Sequence, residues 1–353
     1  MYYTNPQLVG LVRIFDQNER KGYLRLDLNE NPGGLPQEFV NKILKDITPD
    51  FLSQYPETLH FSETLASFLN TDISHICLVN GSAEGIRYII QAFTSENGRI
   101  VGVVPSYFMF QVYSEMYHRN FVKVPYNEDL TMSVDNIIKA MTDDTQLLIL
   151  LNPNNPMGNV YSEEEFKRIL AVAKDKHITI LIDEAYHYYY KNTFINYALS
   201  DEHIFVTRTF SKLISLAGCR LGYVVGWPEG IKMVQKLCTP HNTNAFAMKF
   251  AEAVITDPYM LNSLIDKFIE GRNYLIHTLD ENGYMHIGEA GNFIFIKPKS
   301  DAKLIVKRMK EEKRILIKSY PDIGEYGTCL RVSIGEKQYM QQFIDALKEL
   351  DVE

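Results

Sequence analysis

Lys212 lies in the stretch RTFSKLISLAGCRLG, residues 208–222, among hydroxyl-bearing and other small residues, eight positions before Arg220. An amine becomes a nucleophile only after losing its proton, and burial or a neighbouring cation favours that loss. Asp183 follows the run Ile178–Ile182, apolar but for Thr179, which places an acid at the end of a core strand. Gly81, Ser82 and Ala83 follow the apolar run Ile76–Val79, where a helix is due to begin. Free backbone N–H groups at a helix N-terminus, joined by the hydroxyls of Ser82 and Ser211 and by Arg220, can hold a phosphate. Tyr107 follows a further apolar run and offers a flat ring. An amine, a buried carboxylate, an anion cradle and a stacking ring together suit pyridoxal 5′-phosphate (PLP). That cofactor is carried as a lysine Schiff base, with an acid paired to its ring nitrogen.

These groups work together only if strands deliver them to one edge. Strand-length apolar runs occur at 76–79, 99–104, 121–124, 147–151, 178–182, 204–207 and 223–226. Continuous runs of this kind are the pattern of parallel strands covered on both faces. Between them, helices are expected near 83–95, 107–118, 133–141 and 162–174. The last opens on Ser162 with Glu165 three residues on, a capping box. The alternation predicts an α/β fold with a doubly wound, mostly parallel sheet. In such a sheet ligands bind beyond the carboxyl ends of the strands, and polar residues follow these runs: NGSAEG, PSY, NPNNPMG, DEAY and RTFSK. A long amphipathic stretch at about 245–280 leads to the runs 292–297, 314–318 and 329–334, which mix strands with two helices. The organisation expected is an N-terminal arm over residues 1–40, a large cofactor-binding domain over 41–270 and a smaller α+β domain over 271–353. Residues 1–28 read as irregular, and the arm is expected to pack on the smaller domain.

Composition narrows the function. The chain has 353 residues, 46% hydrophobic and 23% charged, as an ordinary globular protein has. A net charge of −8 and the lack of a basic block argue against nucleic acid as the partner. No run of about 18 apolar residues predicts a membrane helix, and the N-terminus does not read as a signal peptide. Cys77, Cys219, Cys238 and Cys329 are widely spaced, form no metal-ligand pattern and read as reduced thiols of a cytoplasmic protein. His75, His187 and His241 read as structural.

The motifs NPNNPMG, DEAY, TFSK with its following arginine, and CLRVSIG run in an order that resembles the fold-type I PLP-dependent aminotransferases. With DLNENPGG at 27–34 and QYPE at 54–57, the chain is most similar to the histidinol-phosphate aminotransferase branch, over essentially its whole length. The resemblance implies roles. Lys212 would form the Schiff base and then act as general base. Asp183 would keep the ring nitrogen protonated. Asn155 and Tyr186 would hydrogen-bond the ring hydroxyl oxygen, and Tyr107 would stack on the ring. Ser82, Ala83, Thr209, Ser211 and Arg220 would surround the phosphate. Tyr55 would reach that phosphate from the partner subunit of a homodimer. Arg331 would grip the substrate carboxylate through a two-pronged contact. The reaction implied is ping-pong amino transfer between an amino acid, or an amino-alcohol phosphate such as histidinol phosphate, and a 2-oxo acid such as 2-oxoglutarate.

The sequence departs from the branch in places. Met157 stands where a threonine is usual, and Leu213 where a small residue is common. Lys318 stands where the branch has an arginine for the substrate phosphate, so the planar fork gives way to a point charge. A non-phosphorylated, for example aromatic, amino acid is thus a competing substrate. A rival on the same scaffold is a decarboxylase resembling threonine-phosphate decarboxylase. A non-catalytic regulator lacks a DNA-binding segment here. A nucleotide-binding oxidoreductase lacks a G-x-G-x-x-G after a strand.

Overall fold

The computed structural model describes residues 4–11, 19–288 and 290–352. A short strand β1 (Leu24–Arg25) comes first, and the large sheet then takes seven strands in chain order. They are β2 (Ile76–Val79), β3 (Arg99–Val104), β4 (Asn120–Pro125), β5 (Thr145–Leu151), β6 (Thr179–Asp183), β7 (Ile204–Thr209) and β8 (Gly222–Val225). Their spatial order is β2-β8-β7-β6-β5-β3-β4. The sheet is parallel throughout except at β8, which runs against both β7 and β2. All residues of β2, β7 and β8 are buried, as a sheet covered on both faces requires.

The four helices expected between these strands are present, starting within two residues of the expected positions, and a further short helix, Ile195–Ser200, lies unexpected between β6 and β7. Glu163–Asp175 carries the full capping box: Ser162 Oγ accepts from Glu165 N at 3.2 Å, and Glu165 Oε2 accepts from Ser162 N at 2.8 Å. The amphipathic stretch after residue 244 divides into two helices, Ala245–Ile255 and Pro258–Glu281, because Asp257 caps the second and Pro258 fills its first turn.

A second sheet lies C-terminal to these. Its strands β9 (His286–Ile287), β10 (Phe293–Ile296), β12 (Lys318–Tyr320) and β13 (Cys329–Ser333) are antiparallel, in the order β12-β13-β10-β9. The run at 314–318 is not one strand. It divides into β11 (Ile315–Leu316) and β12. The first pairs in parallel with β1, Leu24 opposite Ile315, while the second pairs with β13. The segment at 1–28 is also not wholly irregular, since it contains β1 and a one-turn helix, Pro6–Val9.

Register does the positioning. Leu151 stands opposite Asp183, Asp183 opposite Thr207, and Thr209 opposite Gly222. The carboxyl ends of β5, β6 and β7 therefore meet at one edge. There Asn152 N donates to the Asp183 carbonyl at 2.9 Å, and Glu184 N to the Thr207 carbonyl at 2.8 Å.

Candidate active site

At that edge is a cavity of about 520 Å³. Ser82, Ala83, Tyr107, Asn155, Asp183, Tyr186, Thr209, Ser211, Lys212, Arg220, Lys318 and Arg331 all line it. The large sheet and its loops supply most of these, and the second sheet supplies Lys318 and Arg331. Those two stand opposite each other in the antiparallel pair of β12 and β13.

Tyr55 is not among the lining residues. It is 77% exposed and stacks on His241, with ring centroids 4.4 Å apart and planes at 15°. His75 is structural, bonding the Gly226 carbonyl through Nδ1 at 2.9 Å.

Around Lys212 the electrostatics follow from burial. Its Nζ donates to the Leu28 carbonyl at 3.2 Å and lies 5.5 Å from the Tyr186 ring centroid. Desolvation first, and then the positive charge of Arg331, bring its pKa down from 10.5 to about 8. Asp183 shows the opposite case. Burial raises its pKa from 3.8 to about 7, against hydrogen bonds from Thr207 Oγ1 at 3.1 Å and Ala185 N at 3.2 Å. A carboxyl in this state costs free energy as an anion, and a cationic partner would recover it. Burial also raises the Tyr186 phenol, to about 12, so it stays protonated at neutral pH. Its oxygen accepts from Asn29 Nδ2 at 3.0 Å, which leaves its own hydrogen to donate.

The anion cradle is formed by backbone as much as by side chains. Gly81 has φ +80°, and a Cβ there would come within 2.5 Å of Arg220 Nη2. A Cβ on Gly222 would come within 2.6 Å of Ser82 N. Both positions need glycine for this close approach. Ser82 opens the helix Ser82–Phe93, so that helix points its N-terminus at the cradle. Arg220, itself at φ +55°, donates through Nη1 to Ser211 Oγ at 3.1 Å, and Thr209 Oγ1 meets Ser211 Oγ at 3.0 Å.

Arg331 is buried at the other end. Nη1 donates to Asn155 Oδ1 at 3.0 Å and Nη2 to the Asp27 carbonyl at 2.7 Å, while its buried Nε is without a partner. Because Asn155 Oδ1 is taken by Arg331, its amide NH₂ is the group left to donate. The donor set fits PLP: a cationic and hydroxyl cradle for the phosphate, a carboxyl short of a cation for the ring nitrogen, two donors for the ring oxygen and a low-pKa amine for the aldehyde.

Sequence reasoning missed the segment Asp27–Asn29. Its backbone carbonyls meet Arg331 and Lys212, and Asn29 bonds both Tyr186 and, through its N–H, Ser333 Oγ at 2.9 Å. DLNENPGG did mark the segment, but not what it touches. Also missed is the pair Glu184–Arg208 behind Asp183. Arg208 donates twice to Glu184 Oε2, at 3.0 and 2.8 Å, with both side chains buried.

Fold and site define a fold-type I PLP-dependent enzyme. The profile of the family described as "Aminotransferase class I and II" matches residues 21–347, so the chain belongs to that family and is a PLP-dependent aminotransferase. It is 29% identical over 330 residues to histidinol-phosphate aminotransferase 1 of Trichormus variabilis, covering 93% of this chain and 92% of that one. A histidinol-phosphate aminotransferase of a Geobacter species is 30% identical over 347 residues, covering 98% and 96%. Among solved structures, the histidinol-phosphate aminotransferase of Sinorhizobium meliloti in complex with pyridoxal 5′-phosphate has the same fold. It gives a TM-score of 0.86 at 22% identity, covering 99% of this chain and 98% of that one. The threonine-phosphate decarboxylase of Porphyromonas gingivalis shares the fold too, with a TM-score of 0.75 at 21% identity, covering 92% and 98%.

Proposed function

We propose that this aminotransferase moves an amino group from a donor with two negative charges, on two carboxylates or on one phosphate, to a 2-oxo acid, with glutamate and 2-oxoglutarate as the amino and oxo forms of one half-reaction, in a ping-pong cycle. One observation carries the reading: the cavity that holds Lys212 presents two cationic side chains from paired strand positions, Arg331 and Lys318. A monoanionic amino acid needs only one of them. Glutamate has two carboxylates, and histidinol phosphate, which has no carboxylate, has a doubly charged phosphate. Either can use the second cation, and the curated relatives act, by name, on the latter.

Bound PLP supplies an aldehyde that takes up the amino group and a protonated ring that accepts electrons from the breaking C–H bond. The chain does the rest. Lys212, neutral in a good fraction of molecules near pH 8, attaches the cofactor and afterwards carries a proton at Nζ. Asp183, set by Thr207 and the Ala185 N–H, holds the ring nitrogen's proton. Tyr186, kept protonated and oriented by Asn29, and Asn155, oriented by Arg331, donate to the ring oxygen. Tyr107 covers the ring face. The cradle of Ser82, Ala83, Thr209, Ser211 and Arg220 anchors the phosphate, and Arg331 binds the substrate's carboxylate through its fork. The same reading gives a cytoplasmic homodimer in which Tyr55 of each chain reaches the partner's phosphate site, consistent with its exposure and its place outside its own cavity. The domain boundaries proposed are 1–40, 41–270 and 271–353.

The test is a panel of donors assayed with 2-oxoglutarate, with carbon dioxide release followed in parallel. Histidinol phosphate, phenylalanine and threonine phosphate make up the panel, and glutamate, whose transfer to 2-oxoglutarate only regenerates the same pair, is assayed with a different 2-oxo acid. Transfer from a dianionic donor with kcat/KM well above that for phenylalanine supports the reading. Preference for phenylalanine overturns the second-anion part, and stoichiometric carbon dioxide from threonine phosphate overturns the transfer part in favour of the decarboxylase.

A further inference from the structure

Two of the four cysteines are neighbours in space. Cys77 in β2 and Cys238, just beyond the helix Pro228–Gln235, are 161 residues apart in sequence, with sulfurs 3.7 Å apart. Cys77 is buried, whereas Cys238 is partly exposed. The segment carrying Cys238 is also fixed to the large sheet at a second point, because Asn242 Nδ2 donates to the Leu78 carbonyl at 3.0 Å. That bond lies one residue from Cys77, so the two thiols are held face to face by the native backbone.

We propose that Cys77 and Cys238 form a reversible intramolecular disulfide when the protein meets a peroxide, making this pair an oxidative modification site distinct from the catalytic groups. A disulfide needs sulfurs about 2.05 Å apart, so closure asks for an approach of about 1.6 Å, within reach of side-chain rotation and a small shift of the Cys238 turn. The partly exposed Cys238 is the sulfur that meets the oxidant. Its thiolate displaces hydroxide from hydrogen peroxide, giving Cys238–SOH and, after protonation, water. The Cys77 thiol then attacks that sulfur, the S–O bond breaks and a second water leaves. In sum, two thiols and one peroxide give one disulfide and two waters. Thiolate character is favoured on the accessible member: the contact between the two sulfurs lowers the pKa of Cys238, while that contact and then burial raise Cys77.

The disulfide would tie β2, whose end leads directly into the Gly81–Ser82 cradle, to the segment whose Asn244 side chain bonds the Cys219 carbonyl beside Arg220 at 2.6 Å. The bond therefore braces both sides of the cradle from behind. The proposal does not depend on which substrate the enzyme uses.

The holoenzyme is treated with graded hydrogen peroxide, unfolded in excess alkylating agent so that buried and exposed thiols are trapped together, and digested without reductant for mass spectrometry. The expected result is a Cys77–Cys238 linked peptide, a thiol titre falling from four to two, and return to four with dithiothreitol. The oxidised protein should also melt several degrees higher, a rise absent from Cys238→Ser, because the bond closes a long loop. A C219S/C329S background excludes exchange with the other thiols. Cys238 recovered as sulfinic acid with Cys77 still alkylatable, or a titre unchanged at peroxide excess, would overturn the proposal. Since the wild-type protein carries the main readout, poor folding of a serine variant does not blunt the test.

Discussion

Lys318 and Arg331 are directly paired across two antiparallel strands, and both side chains line the cavity that holds Lys212. Because adjacent strands put paired residues on the same face, the two cations lie side by side. Arg331 is further braced by Asn155, by the Asp27 carbonyl and by the Tyr320 ring, whose centroid is 5.1 Å from its guanidinium. On the proposed function, the rigid fork takes a carboxylate and the lysine point charge beside it takes the donor's further negative charge.

Lys318→Ala should therefore raise KM for dianionic donors and leave kcat nearly unchanged. A hydrogen bond to a charged group contributes about 1.5–3 kcal/mol, so the rise should be on the order of 10- to 100-fold. Phenylalanine should be almost unaffected. Steady-state kinetics on the two donor types checks this, and an equal loss for both would remove the second-anion role.

Asp183 gives a pH-dependent prediction for the cofactor-free protein. Its folded pKa, about 7, lies above its ordinary 3.8, so its contribution to stability is fully present below about pH 4 and is lost as pH rises through about 7. A shift of that size corresponds to on the order of 4 kcal/mol. Asp183→Asn keeps an oxygen to accept from Thr207 and has no charge to bury. The variant without cofactor should therefore melt above the wild type at pH 8, with the difference vanishing near pH 4, while activity falls by orders of magnitude. Thermal unfolding at the two pH values tests the sign. A variant less stable than wild type at pH 8 would mean that Asp183 is not strained as an anion.

Much of this was legible in sequence because buried parallel strands are continuous apolar runs, and polar residues at their ends stand out. The ends of β6 and β7 revealed Asp183, Thr209 and Lys212 in that way. Distant contacts were not legible. Nothing local to Asn29 points to Tyr186, 157 residues away, because the bond exists only once the N-terminal segment lies across the sheet edge. The antiparallel β8 was also hidden, since a strand buried on both faces reads the same in either direction. The run at 314–318 divides because its two halves pair with different strands, β1 and β13, and pairing leaves no mark on hydrophobicity.

Glu184 and Arg208 form a buried pair at the ends of β6 and β7, supported by Thr193, whose hydroxyl donates to Glu184 Oε2 at 2.7 Å, and by the Phe194 N–H. Removing one partner leaves the other charge buried alone, which costs about 3–5 kcal/mol. Glu184→Gln should lower the denaturant midpoint accordingly. A change within error in urea unfolding would show that the pair is dispensable to the fold.

Tyr55 can be tested by complementation. Tyr55→Ala alone should weaken PLP binding by about tenfold or more, the value of a hydrogen bond to a charged group. If Tyr55 serves the partner's site, then at a PLP concentration that leaves Tyr55→Ala largely unloaded, a mixed dimer of Lys212→Ala and Tyr55→Ala chains contains one intact site and regains activity. If the residue acts within its own chain, the mixture stays as inactive as its parents.

The central claim is that Lys212 carries the cofactor and that glutamate discharges it. The most direct measurement is the visible absorption spectrum of the PLP-loaded protein, wild type and Lys212→Ala, before and after adding glutamate. The wild type should be yellow, bleach with glutamate and regain its colour with 2-oxoglutarate, while Lys212→Ala should complete no such cycle at a comparable rate. A Lys212→Ala protein that bleaches and recovers as fast as wild type, or a wild type that takes up no PLP, would contradict the account.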